Sequence, residues 1–275
     1  MIQYFNLSLP FDRAMYIFLA VCIFAASLIS SMVGQGGGVL YTPIQVWFGT
    51  NIYQAATTSL FLIIVLSISS SITYAKSRKV DWTLAIVLES ATSLSAFIGA
   101  LFSSAIKEEI LLFILAGAIT AAALPLILEI ERKHFEKSCR GGLTSWKRNT
   151  NNRQYCINLF IAIPISIAAG LISGMVGVGG GVLKVAAMVL LLGVPVDIAI
   201  ASSSIMVGIT ATGGFTGHIL SESWDFEKAI PLAIIVFAGA QIGSRISVGL
   251  DKKMMEKILG WLLLAIAAVT IVKIF

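Results

Sequence analysis

Charge is scarce in this sequence. Only 12% of its 275 residues are Asp, Glu, Lys or Arg, about half the share in a soluble domain, which excludes an ordinary water-soluble fold. Histidine is scarcer still, with His134 and His218 the only two. No pair of histidines stands at metal-ligand spacing and no nucleophile sits beside a base, so the chain does not read as an enzyme. The three cysteines, Cys22, Cys139 and Cys156, have neither ligand nor redox spacing. Cys22 reads as apolar filler. Cys139 and Cys156 sit in or beside a polar linker and stay unpaired if that linker is cytosolic. No Gly-Lys-Ser/Thr ending completes a nucleotide loop, and nothing calls for a cofactor.

What is present is apolar, at 57% hydrophobic residues and a mean hydropathy of +0.93. Stretches of about 20 apolar residues, enough to cross a bilayer as a helix, run over Ala14–Val33, Ala55–Ala75, Leu84–Ser104 and Ile110–Leu128. A second series covers Ile157–Val176, Ile198–Leu220, Ala229–Val248 and Met255–Ile274. Runs such as Leu60–Leu66 do not alternate, which excludes membrane β-strands. The first stretch is no cleaved signal peptide, because its end recurs inside the chain. The net charge of +5 invites a nucleic-acid reading. However, seven basic and two acidic residues between Ile130 and Arg153 account for all of it. The surplus marks one cytoplasmic loop under the positive-inside rule, and nucleic acid is excluded as a partner.

The chain is an internal duplication. ISSMVGQGGGVL at Ile29–Leu40 returns as ISGMVGVGGGVL at Ile172–Leu183, identical at ten of twelve positions. After one inserted residue the match continues, with Thr58–Ser59 on Ser202–Ser203 and Ile98–Gly99 on Ile242–Gly243. The expected organisation is a first membrane repeat over 1–129, a basic cytoplasmic linker over 130–155 and a second membrane repeat over 156–275.

Val39–Phe48 and Val182–Leu192 are too short to cross alone and too apolar for exposed loops. Each follows three glycines and reads as a half-helix of a discontinuous element. If they complete crossings, each repeat has five and the repeats are inverted. If they are re-entrant, each has four and the repeats are parallel. The turn at Lys76–Asp81 is basic while its counterpart around Glu222–Glu227 is acidic, as copies on opposite membrane faces would become. The sequence therefore favours an all-α polytopic membrane protein of two inverted repeats with glycine-broken helices.

The glycines either allow close helix packing or break the helix and free N–H groups for a ligand. In the second case a half-helix points its positive end into the membrane, forming an anion site without a fixed charge. The hydroxyls of Thr57, Thr58, Ser59, Ser202, Ser203 and Ser204 serve as caps or as donors to such a ligand. Thr210, Thr212 and Thr216 are weaker candidates. Ionisable residues inside spans are functional candidates. Lys184, three residues after Gly181 and matched by Tyr41, either reinforces anion binding or snorkels to an interface. Glu89, matched by Ala233, either carries a coupling proton, pairs with a basic group or sits near the interface. His218 is an interfacial residue or a proton relay.

The paired motifs SSMVGQGGG and SGMVGVGGG, with AATTS and IASSS after them, resemble the TauE/SafE sulfite exporter family over nearly the whole chain. The resemblance implies a transporter of sulfur-containing anions, such as sulfite and organosulfonates, in the cytoplasmic membrane. It also implies a substrate site at Gly34, Gln35, Gly36, Gly37 and Gly38, Thr57–Ser59, Gly177, Gly179, Gly180 and Gly181, and Ser202–Ser204. Gln35 stands where the second copy has Val178, so the half-sites are not equivalent. The expected function is secondary transport of a small sulfur-containing anion, coupled to a proton or ion gradient or uncoupled, with a passive anion channel as the alternative.

Overall fold

The computed structural model describes residues 10–127 apart from 35 and 77–79, residues 145–181 apart from 151–152, residues 184, 185, 188, 192–221, 224 and 226–247, and residues 261, 264 and 268. Gln35, the start of the linker, most of Val182–Leu192 and most of Met255–Ile274 lie outside the described residues. Helices α1 (Pro10–Val33), α2 (Gly38–Trp47), α3 (Ile52–Lys76), α4 (Trp82–Ser103) and α5 (Glu108–Ile127) precede a hairpin of β1 (Ser145–Thr150) and β2 (Arg153–Asn158). Helices α6 (Leu159–Val176), α7 (Val196–Ser221) and α8 (Phe226–Ser247) follow it.

Six of these helices, α1, α3, α4, α6, α7 and α8, are long and apolar enough to cross a membrane. Six of the eight apolar stretches read from the sequence fall on them, with ends shifted by a few residues, and Ile110–Leu128 falls on α5. Burial is inverted relative to a soluble protein. Ser27, Ser31, Ser59, Ser67, Ser69 and Thr92 are buried, while Ile17, Phe18, Ile86, Leu94, Phe160 and Ile234 face outward. Lipid is the environment in which that distribution is favourable. The chain is a polytopic membrane protein whose membrane-spanning part is all-α and whose outer face contacts lipid.

Small residues let the helices approach closely. A Cβ on Gly239 of α8 would stand 2.0 Å from Ser27 Oγ of α1, and one on Gly243 would stand 2.2 Å from the Leu28 carbonyl. With Tyr16 donating to the Lys228 carbonyl at 3.1 Å, these contacts set α1 and α8 side by side in the same direction. Helices α4 and α6 pair likewise, with Gly170 against the Thr92 carbonyl and Gly174 against that of Ala96. At the centre α3 and α7 run in opposite directions, with Gly208 against Ser67 and Gly214 against Leu60.

Helix α2 is only ten residues long and is buried from Gly38 through Val46. At about 1.5 Å per residue it reaches roughly half the hydrocarbon thickness. It starts beside Ile63 of α3 and ends next to the start of α3, where Gln45 donates to Ser59 at 2.9 Å.

Strands β1 and β2 form an antiparallel hairpin that the all-α reading did not foresee, with Trp146 opposite Ile157 and Arg148 opposite Tyr155. Cys156 on β2 is disulfide-bonded, which corrects the expectation that it stays unpaired; that expectation rested on compartment, not on geometry. Cys22 is free.

Candidate functional site

The site is built from the two glycine turns. Gly34, Gly36 and Gly37 have φ of 69°, 83° and 72°, and Gly177, Gly179 and Gly180 have 74°, 75° and 65°. This is the left-handed region that side chains rarely tolerate, so both turns need glycine for backbone shape alone. They also need it for space. A Cβ on Gly34 would stand 2.6 Å from the Ile200 carbonyl, and one on Gly177 would stand 2.6 Å from that of Ala56, the residue aligned with Ile200 in the duplicated sequence. Gly36 would meet Val207 at 2.2 Å, and Gly179 would meet Ile63, the aligned residue, at 2.7 Å. The two turns touch each other, since a Cβ on Gly38 would lie 2.4 Å from the Val178 carbonyl.

The first carbonyl of each turn is capped by a hydroxyl from across the bundle. Ser203 donates to the Gly34 carbonyl at 2.5 Å, and Thr42 donates to that of Gly177 at 3.2 Å. Helix α2 begins at Gly38; the Leu40 and Tyr41 N–H groups bond the Gly37 carbonyl at 2.9 and 3.0 Å, and those of Gly38 and Val39 have no intrahelical carbonyl before them. Gly181, Lys184, Val185 and Met188 are helical after the second turn, and the Lys184 N–H bonds the Gly180 carbonyl at 3.0 Å.

The other expected hydroxyls divide. Thr57 bonds back to the Tyr53 carbonyl at 2.9 Å and Ser204 to the Ile200 carbonyl at 3.1 Å. Ser59 accepts from Gln45, and Thr58 is buried. Ser202 Oγ accepts the Asp81 N–H at 2.9 Å, which ties α7 to the head of α4. Ser203 and Ser204 thus stand at the first glycine turn, and Ser202 stands at a neighbouring junction.

Lys184 and Glu89 meet. Both are buried, at 4% and 1% side-chain exposure. Lys184 Nζ pairs with Glu89 Oε1 and also donates to Thr210 Oγ1, which in turn donates to Glu89 Oε2. The closed triad joins the second glycine turn, α4 and α7. His218 is placed differently, two turns beyond Thr210, with Nε2 2.8 Å from the Gly174 carbonyl.

Two features escaped the sequence reading. Ser173 Oγ is buried and has no hydrogen-bond partner among the described residues, although the serine was visible inside the repeated motif. The second is a knot at Asp81. Its carboxylate caps α4 through the Leu84 N–H at 3.0 Å and accepts from Arg148 Nη2 at 2.5 Å, Arg148 Nε at 3.1 Å, Thr150 at 2.7 Å and Tyr155 at 2.5 Å. Burial opposes the charge, but the bonds from Arg148, Tyr155, Leu84 and Thr150 outweigh it and hold the carboxyl well below the usual carboxylate range. Burial, then the Asp81 bond, pushes the Tyr155 hydroxyl well above its ordinary value. The hairpin is therefore locked to the head of α4.

The chain matches the sulfite exporter TauE/SafE family over residues 19–270. It is 25% identical over 251 residues to the probable membrane transporter protein YunE of Bacillus subtilis, covering 88% of this chain and 90% of that one. It is 24% identical to the probable membrane transporter protein MJ0441 of Methanocaldococcus jannaschii, covering 96% and 97%. Over 134 residues it is 29% identical to the sulfite exporter TauE/SafE family protein 5 of Arabidopsis thaliana, covering 48% of this chain and 27% of that one. No solved structure matches. With a bundle of membrane-spanning helices, paired glycine turns and a family match over most of its length, the chain belongs to the TauE/SafE sulfite exporter family, whose members are membrane transporters and not enzymes.

Proposed function

We propose that this protein is a secondary transporter that moves a small sulfur-containing anion, sulfite or an organosulfonate, across the cytoplasmic membrane, with a proton as the coupling ion. The observation that carries this reading is the meeting of the two glycine turns inside the bundle, beside the buried Lys184. Free N–H groups at a helix start attract an anion, and a lysine adds a full charge.

The same reading assigns the glycines of both turns, Thr57–Ser59, Ser202–Ser204 and Lys184 to the substrate, and Glu89 and His218 to coupling. It divides the chain into repeats over 1–129 and 156–275, inverted relative to one another, joined by a cytoplasmic linker over 130–155. Two facts support inversion: α3 and α7, which occupy equivalent places in the duplication, run in opposite directions, and aligned residues make aligned contacts at both glycine turns. Alternating access then exposes the central site to each face in turn. The tight packing at Gly36 and Gly38 favours a carrier that rearranges over a passive channel.

Purified protein in liposomes tests the function. Labelled sulfite or sulfonate accumulates along an imposed gradient, with saturation. Flux that rises without saturation supports a channel, and no gradient-driven flux across a panel of sulfur anions refutes the transporter reading.

A further inference from the structure

We propose that the anion binds at Lys184 and Ser173 on the second glycine turn by displacing Glu89 from the lysine, so that each monoanion travels with one proton on Glu89. The proposal rests on the reading of the chain as an anion transporter and adds its binding residues and coupling step.

A buried ion pair is poor evidence of stabilisation, because desolvation offsets the attraction. The triad therefore asks for another role. The lysine ammonium has three donors; Glu89 and Thr210 take two of them. Next to it Ser173 Oγ is fully buried with no partner among the described residues. The two side chains face one gap, since a Cβ placed on Gly180 would lie 3.5 Å from both Ser173 Oγ and Lys184 Cε. A hydroxyl donor, an ammonium and a glycine turn converge where no side chain of the turn intrudes. An oxyanion satisfies all three.

The first turn lacks this gap. Tyr41 holds the place of Lys184, and its ring would stand 2.6 Å from a Cβ on Gly37. Leu66 and Ala233 hold the places of Thr210 and Glu89. The duplicated framework thus carries one anion site, not two.

Charge balance supplies the coupling. With Glu89 ionised, Lys184 and Glu89 sum to zero. Adding a monoanion would leave one uncompensated negative charge among apolar helices, which is strongly unfavourable. Protonation of Glu89 from water on the open face restores neutrality and frees the lysine for the anion. On release at the other face the proton leaves and the pair closes again. The other titratable groups on the surrounding helices are His218 on α7, bonded to the Gly174 carbonyl, Asp197 at the start of α7, Tyr41 on α2, Tyr53 on α3, bonded to the Ile106 carbonyl, Tyr74 on α3, bonded to the Ser31 carbonyl, Lys76 at the end of α3, and Asp81, held by the hairpin.

Methanesulfonate is the probe, because it stays ionised over the working pH range and brings no proton of its own. In liposomes containing trapped pyranine, wild type takes up one proton per methanesulfonate. Concentrative uptake reaches about tenfold per unit of imposed pH gradient. By calorimetry on purified protein, wild-type affinity weakens about tenfold per pH unit on the alkaline side. In Glu89→Gln the pH slope is flat and concentrative uptake is lost. Lys184→Ala weakens binding at least tenfold. Ser173→Ala weakens it about fivefold, as expected for one hydrogen bond, and leaves the pH slope in place. A wild type that moves methanesulfonate without protons overturns the coupling, and the pyranine measurement decides this even if a variant fails to fold. A steep pH slope in Glu89→Gln, or unchanged affinity in Ser173→Ala, overturns the assigned residues. A wild type that moves no sulfur anion at all refutes the transporter reading beneath the proposal.

Discussion

Replacing Asp81 by alanine should release the hairpin while leaving the helical bundle folded. Asp81 accepts five hydrogen bonds, four of them from Arg148, Thr150 and Tyr155 of the hairpin. Removing one partner of a buried charged pair costs about 3–5 kcal/mol, and losing an N-cap adds about 1 kcal/mol. Arg148 keeps 20% side-chain exposure and rests over the Trp146 ring, 4.7 Å from its centroid. It can therefore turn to water, so the low end applies. About 3 kcal/mol corresponds to a rise in the opening constant of roughly a hundredfold. Hydrogen–deuterium exchange reads this directly: protection factors over 145–158 fall by about that factor, while those of α3 and α7 do not change. Asp81→Asn keeps an oxygen for the Leu84 cap and falls between the two. The sign of the pH dependence follows from the depressed carboxyl. The stabilisation is fully present above the ordinary carboxylate value of about 4 and is lost only as pH falls through the lower folded value. The raised Tyr155 hydroxyl works at the other end; its contribution is present below about pH 10 and is lost as pH rises through the folded value. Protection should therefore be flat from about pH 5 to 8. Hairpin amides exchanging as slowly in Asp81→Ala as in wild type would refute the latch.

Helix packing predicts a contrast between two glycines. Gly174→Ala puts a Cβ 2.0 Å from the Ala96 carbonyl and should destabilise by about 1–3 kcal/mol, lowering the melting temperature in detergent. Gly117→Ala meets nothing within 4 Å among the described residues and should raise it slightly, since alanine is the better helix former by about 1 kcal/mol. Topology predicts a labelling pattern. With inverted repeats, Lys252→Cys reacts with an impermeant maleimide from the same face as Lys147→Cys on the exposed side of the hairpin, and Glu222→Cys reacts from the opposite face; Glu222→Cys and Lys147→Cys reacting from one face would refute that arrangement.

Membrane helices were legible because lipid leaves the backbone one local solution, so length and hydropathy suffice. The stretch Ala55–Ala75 anticipated α3 at Ile52–Lys76. The break before α2 was legible for a similar reason, as three glycines bounded a short apolar run. The hairpin was not read, although its signal exists: apolar Trp146, Tyr155 and Ile157 flank the turn-forming Asn149–Asn152. Basic composition masked it, because a charge-rich linker reads as solvated loop. The partners of the site hydroxyls were out of reach. Whether Ser202 faces a ligand or the Asp81 N–H depends on the meeting of segments 121 residues apart, which no local pattern encodes.

The Lys184–Glu89 pair was hidden differently, and its signal is general. In a duplicated chain every buried position has a counterpart that shows what the framework tolerates there. The counterparts of Lys184, Glu89 and Thr210 are Tyr41, Ala233 and Leu66, all of them buried. A lone charge at any of these positions would be strongly destabilising inside the membrane. Two unmatched charges of opposite sign, departing from an apolar pattern in the same chain, have a much smaller penalty if they meet. Under the proposed division into repeats, Glu89 falls in the first and Lys184 in the second, and a pair between them then spans the interface between repeats. Read this way, the breaks in the duplication, more than its identities, point to where the two halves stopped being equivalent, and the structure has the pair at that position.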